Sequence, residues 1–282
     1  MLALCGESAN SMAAEARAAS HFATFGTNRV HYKTLGRGEK ALVFVHGWSC
    51  NEDFWREQVP ALADRAKLIL IDLPGHGRSD KPRADYTMDF FGESVLTVMR
   101  DTRVNKAALI GHSMGVAVIC RAWAKAPESA TALVAVDGLL RRPEIKLEDR
   151  ERFIAPFRGP KYRETATNFI RSMFPNPGTE ALRDTVLKDM LATPQYVMSG
   201  AMEGMFAEGR PNWDLKRVDV PVLVINARNR LWTPEYEAYV KELSPKTESR
   251  TIEGAGHFLM LEKPAEFNAV LVDVLSKYKL ID

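Results

Sequence analysis

The sequence predicts an α/β fold: a doubly wound, mostly parallel sheet, interrupted once by a helical insertion. Three observations carry that prediction. Short apolar runs alternate with helix-period segments along most of the 282 residues. The runs are continuous rather than alternating, as parallel strands covered on both faces require. One stretch, 138–212, contains no strand-like run and is rich in charge, proline, methionine and aromatics.

In chain order, residues 1–20 are small and alanine-rich and read as a flexible N-terminal extension. FATFGTNRVHYKTLG (22–36) reads as an antiparallel hairpin that opens the sheet. ALVFVH (41–46), KLILID (67–72), AALIGH (107–112), ALVAVD (132–137) and PVLVIN (221–226) read as strands, and SRTI as the last one. In MDFFGESVLTVMRD, Phe91, Val95 and Met99 fall at i, i+4 and i+8, one helix face. MGVAVICRAWAKA is apolar almost all round and predicts a buried helix. Thr233-Pro234 has the form of an N-cap followed by proline in the first turn, and Pro264 opens a last helix in the same way. The predicted partition is a core of 21–137 and 213–282 around an insertion of 138–212.

Composition narrows the function classes. Lys plus Arg is 38 and Asp plus Glu 36, a net charge of +2, so no charge excess argues for nucleic acid or a membrane surface. Cys5, Cys50 and Cys120 are scattered without a C-x-x-C pair, against a disulfide scaffold or a zinc ribbon. No apolar run approaches the roughly 20 residues of a bilayer span. The cysteine usage favours a reducing cytoplasm, while the small-residue N-terminus leaves a secreted or periplasmic location open.

The chemistry gathers in a few motifs. Gly111-His112-Ser113-Met114-Gly115 fits G-x-S-x-G, a pattern with chance odds of roughly one in ten in a chain of this size. Its position after a strand and before a helix gives it weight, because a serine there stands exposed on a sharp turn at a helix N-terminus. A serine hydroxyl needs a base, and His257, in EGAGHF after the last strand, lies on a loop at the same sheet edge. His112 is placed to support the turn with its side chain directed away from Ser113. Acyl transfer also needs two N–H donors for the oxyanion. The backbone of Met114 supplies one and that of Trp48, in His46-Gly47-Trp48, the other. The Trp48 indole reads either as a pocket wall or as a loop aromatic covering the core.

With these residues placed, a family comes into view. His46-Gly47, Asp72-Leu73-Pro74-Gly75-His76-Gly77-Arg78-Ser79, Gly111-His112-Ser113-Met114-Gly115 and Gly256-His257 stand in the order seen in the α/β-hydrolase superfamily. The chain resembles a serine esterase-like member with a helical cap over about residues 22–280. The resemblance implies an eight-stranded sheet, a Ser–His–acid triad and no cofactor or metal. It implies a structural turn at DLPGHGRSD, with no catalytic role for Asp72, His76 or Asp80.

The triad acid departs from the family pattern. Relatives place it after the strand corresponding to PVLVIN, but here Ala227-Arg228-Asn229-Arg230 puts an arginine there. An arginine opposes an imidazolium rather than stabilising it. Asp137, at the end of ALVAVD one strand earlier, is the expected substitute, as in haloalkane dehalogenases, which look similar in this respect. Glu235 is a second candidate, and an incomplete triad the third alternative.

The insertion holds Met198, Met202, Met205 and Phe206 on one helix face, with Gly200 and Gly204 allowing close packing on another. It reads as a cap over Ser113 whose ceiling, with Trp48, Met198, Met202 and Phe206, receives a small and partly apolar ester-like substrate. The same methionine face also reads as the cap's own core. The leading expectation is a carboxylic ester hydrolase. Lactonase, thioesterase, C–C hydrolase and cofactor-free perhydrolase chemistry fit the same triad. A silent ligand-binding protein is the alternative from another class, favoured only by the altered 227–230 loop.

Overall fold

The computed structural model describes residues 18–141, 145–206, 213, 215–227 and 232–282. Its strands are β1 (Ala19–Phe25), β2 (Asn28–Gly36), β3 (Ala41–Val45), β4 (Lys67–Ile71), β5 (Ala107–His112), β6 (Ala130–Val136), β7 (Val222–Ala227) and β8 (Thr247–Ile252). They form one eight-stranded sheet in the order β1-β2-β4-β3-β5-β6-β7-β8. β1 with β2 and β2 with β4 pair antiparallel; every later pair is parallel. The continuous apolar runs explain the parallel part, because β3, β5 and β7 are buried at every position.

The hairpin is longer than the sequence suggests. β1 starts at Ala19, inside the stretch read as an extension, and pairs Ala19 with Thr34 and Ser20 with Lys33. Four of its first five residues are exposed, so no apolar period marks it. Pairing with β2 makes it a strand.

Helices cover both faces. α1 (Met88–Asp101) begins at Thr87, whose side chain accepts from the Phe90 N–H, and buries the Phe91, Val95 and Met99 stripe. α2 (Met114–Lys125) lies between α1 and the strands β3, β5 and β6, which is why its sequence is apolar almost all round. Between β6 and β7 come α3 (Leu147–Arg158), α4 (Tyr162–Ser172), α5 (Glu180–Met190) and α6 (Gln195–Phe206). α7 (Pro234–Leu243) starts at Thr233, which caps the Tyr236 N–H, and α8 (Pro264–Lys277) starts at its proline. Among the described residues no helix is long and apolar enough to cross a membrane.

The strand order positions the site. After β3 the chain first pairs β4 on one side of it, then returns to pair β5 on the other. The loops after β3 and β5 therefore leave the carboxyl edge in opposite directions and open a crevice, the usual place for a ligand in such sheets.

Candidate active site

Ser113 sits at the β5–α2 junction with φ 54° and ψ −118°, a left-handed conformation that costs a non-glycine residue of order 1–3 kcal/mol. The turn is held by its own N–H to the Val136 carbonyl at 2.9 Å and by Val116 N–H to its carbonyl at 3.0 Å. The flanking glycines are demanded by contact: a Cβ on Gly111 would overlap the Gly115 carbonyl, and one on Gly115 would overlap the Val45 carbonyl. Only hydrogen at these two positions lets β5, α2 and β3 close around the serine.

His257 and Asp137 meet across 120 residues of sequence. His257 Nδ1 lies 2.6 Å from Asp137 Oδ2. An ionised carboxylate only accepts, so Nδ1 carries the proton and the opposite nitrogen, Nε2, is left as a base. Asp137 itself has φ 41° and is buried, with its N–H on the Ile225 carbonyl. Its Oδ1 accepts from the Ala227 N–H at 3.0 Å, at the end of β7. The carboxylate thus leans from the end of β6 over the end of β7. Glu235, the other carboxylate considered, is exposed on α7. Arg230 lies outside the described residues.

Residues that motif reading did not single out fix the histidine loop. Glu262 accepts the N–H groups on both sides of His257, from Gly256 at 2.8 Å and Phe258 at 3.1 Å. The His257 N–H donates to the Met173 carbonyl at 3.1 Å. His112 supports more than its own turn: its Nε2 lies 2.9 Å from the His257 carbonyl and its ring centroid 4.8 Å from that of His257. Burial, helped by the neighbouring His257 ring, holds the His112 imidazole well below its ordinary range. It is therefore a neutral donor to the His257 carbonyl. Histidine before the serine was the only available signal, since Glu262 belongs to no motif.

On the other side of Ser113, Trp48 is buried and ties the β3 loop to the insertion. Its indole N–H donates to the Met198 carbonyl of α6 at 2.8 Å, and its ring packs edge-on against Phe157 and Phe169 at 5.4 and 5.7 Å. Thr193 Oγ1 donates to the Ser49 carbonyl and Tyr196 Oη to the Lys81 carbonyl. Gly204 lies so close to Tyr86 that a Cβ would overlap its carbonyl, which is the close approach the two α6 glycines allow. Met198 and Met202 are wholly buried; Phe206 is half-buried with its ring 5.9 Å from that of Phe153. Met114, the first residue of α2, is buried.

A second polar cluster lies under β2 and β4. Asp72 accepts from His31 Nδ1 at 2.7 Å and from the N–H groups of Glu52 and Arg78, both at 2.8 Å. Burial opposes its ionisation, but these donors, His31 first, hold the carboxyl below its usual range. Among the described residues, His31, Glu52 and Asp72 are the three whose donor atoms approach metal-ligand spacing. The Lys33 ammonium, 2.6 Å from Glu52, already supplies the positive charge a cation would bring.

The family model described as Alpha/beta hydrolase family matches residues 42–270. A pimeloyl-[acyl-carrier protein] methyl ester esterase of Nitrosomonas europaea is 27% identical over 250 residues, covering 84% of this chain and 96% of that protein. A dihydrolipoyllysine-residue acetyltransferase component of an acetoin cleaving system from Cupriavidus necator is 26% identical over 264 residues, covering 91% of this chain and 69% of its own. Among solved structures, a thermophilic esterase from Thermogutta terrifontis superposes with a TM-score of 0.80 at 21% identity, over 93% of this chain and 99% of its own. That likeness bears on the fold. With a family match spanning most of its length, this chain is a hydrolase of the alpha/beta hydrolase family.

Proposed function

We propose that this hydrolase cleaves carboxylic esters through an acyl-enzyme on Ser113. The observation that carries the reading is the 2.6 Å contact between His257 Nδ1 and Asp137 Oδ2 at the sheet edge where Ser113 stands on its strained turn. Ser113 Oγ attacks the ester carbonyl while His257 Nε2 takes its proton. Asp137 keeps the ring in the right tautomer and stabilises the imidazolium. The backbone N–H groups of Trp48 and Met114 receive the oxyanion. His257 then protonates the departing alcohol, and water, deprotonated by the same ring, cleaves the acyl-enzyme.

Segment 138–212 acts as the cap, and Trp48, Met198, Met202 and Phe206 form the apolar side of the substrate pocket. Near-zero net charge and these side chains favour an uncharged or weakly charged, partly apolar substrate. Ester cleavage is preferred to the other chemistries of this triad because a relative of nearly full-length coverage carries the name methyl ester esterase.

A fluorophosphonate probe tests the reading. The wild-type protein is expected to label at Ser113, to lose the label in Ser113→Ala, and to turn over aryl esters with a clear optimum in acyl length. A folded wild-type protein that neither labels nor turns over any ester of the series contradicts it.

A further inference from the structure

At the end of β3 stands a histidine that the triad does not use. His46 is wholly buried, and both of its ring nitrogens are engaged. Nε2 lies 3.0 Å from the Leu73 backbone nitrogen, and Nδ1 lies 2.8 Å from the Gly47 carbonyl oxygen. A backbone N–H can only donate, so Nε2 carries no proton and Nδ1 must carry it. The imidazole therefore donates to the Gly47 carbonyl. Burial holds it below its ordinary range, so this neutral form persists at neutral pH.

That carbonyl belongs to the same peptide unit as the Trp48 N–H. The unit is trans, so the two groups point in opposite directions and fixing one aims the other. The Cys50 N–H also donates to the Gly47 carbonyl, at 3.2 Å. Gly47 runs directly beside the nucleophile: a Cβ on it would stand 3.1 Å from Ser113 Cβ. The peptide unit held by the imidazole is thus the one next to the reacting serine.

Leu73 is itself fixed. It follows Asp72, whose carboxylate is held by His31 and two backbone N–H groups. The Leu73 N–H, one covalent step along the backbone from the buried Asp72, is thus joined by hydrogen bonds through His46 to the Gly47 carbonyl.

We infer that His46 is a positioning residue: its Nδ1–H holds the Gly47 carbonyl so that the Trp48 N–H points at the developing oxyanion. The Asp72 cluster acts through it, by presenting the Leu73 N–H that selects this tautomer. The inference rests on the ester-hydrolase reading above. It gives the DLPGHGRS turn a task in catalysis without placing any of its side chains on the substrate.

The test uses two substitutions that keep opposite halves of the ring. In His46→Asn the amide nitrogen falls near Nδ1 and keeps the donor to Gly47; in His46→Gln the amide oxygen falls near Nε2 and keeps only the acceptor for Leu73. His46→Gln is expected to lose about 10- to 100-fold in kcat, part of the effect of removing an oxyanion donor outright, with KM within about threefold. Affinity for a trifluoromethyl ketone, which forms an anionic adduct on the serine, should fall by the same factor. His46→Asn should stay within about fivefold on both measures. Equal losses in the two variants, or an unchanged kcat in His46→Gln, overturn the inference while leaving the hydrolase reading intact. Should His46→Gln not fold, the wild-type protein still decides: a long-range ¹H–¹⁵N correlation must show the His46 ring protonated on Nδ1, and protonation on Nε2 overturns the inference. A folded wild-type protein that fails to label at Ser113 overturns the hydrolase reading and this one with it.

Discussion

Among the described residues, two histidine–aspartate pairs of nearly equal length stand out. His257 and Asp137 approach to 2.6 Å, His31 and Asp72 to 2.7 Å. Each aspartate fixes a proton on Nδ1, and the second pair even has a serine beyond it, with Ser20 Oγ 2.8 Å from His31 Nε2. By hydrogen bonding alone the second pair, with its serine already attached, would be the more obvious candidate. Their surroundings separate them. The His257 side chain is 22% exposed, whereas His31 is fully buried and Asp72 nearly so. Ser113 stands on a left-handed turn at the start of a twelve-residue helix, next to the β3 loop. Ser20 lies within the regular antiparallel pairing of β1 and β2. Ser49, Ser113 and Asp137, three of the non-glycine residues with positive φ, follow the carboxyl ends of β3, β5 and β6. Strain gathers at one edge of the sheet, as it does at functional sites. A serine–histidine–aspartate series becomes a candidate catalyst where the backbone around the serine is arranged for an oxyanion.

The contrast can be broken by substitution. Ser113→Ala should remove at least about 10⁴-fold of kcat with little change in melting temperature, measured on an aryl ester. Asp72→Asn should reverse the balance. It unpairs buried groups worth roughly 2–4 kcal/mol, so melting falls by roughly 5–10 °C, while kcat stays within about tenfold through the indirect effect on Leu73 and His46.

Glu52 sharpens the electrostatic side of the comparison. Burial pushes its carboxyl up from 4.5 to about 7, against the pull of Lys33. The fold thus favours the protonated acid, and the stability this contributes at low pH is lost as pH rises from about 4.5 to 7. Glu52→Gln should flatten the melting temperature across that window, read by scanning calorimetry at several pH values. Ser20→Ala, the smallest effect, removes one partly buried hydrogen bond. It should leave kcat within about twofold and lower melting by a few degrees at most. A large loss of kcat there would erase the distinction between the two series.

Much of this arrangement is legible in the sequence because it depends on local chemistry. The parallel strands are spelled out by apolar runs such as Ala41–Val45, and the Ser113 turn by two glycines that tight backbone contact requires. The sequence points to Asp137 because an arginine occupies the usual acid position within 227–230, and the structure sets Asp137 Oδ2 2.6 Å from His257 Nδ1. What escaped depends on long-range contact. β1 carries no apolar period, so only its pairing with β2 reveals it. Glu262 clamps the His257 loop from a short helical turn with no motif. The Trp48 bond to Met198 joins residues 150 apart, and nothing near either residue announces it. The methionines of α6 were legible as a face, but what that face touches was not.

The reading of this site turns on Asp137 as the acid behind His257. The most direct measurement is kcat of Asp137→Asn on an ester that the wild-type protein turns over, with folding verified by an unchanged circular dichroism spectrum. A loss of about 10³- to 10⁴-fold is expected, because the amide no longer fixes the working tautomer or stabilises the imidazolium. A variant that keeps kcat within a few-fold of wild type would contradict it.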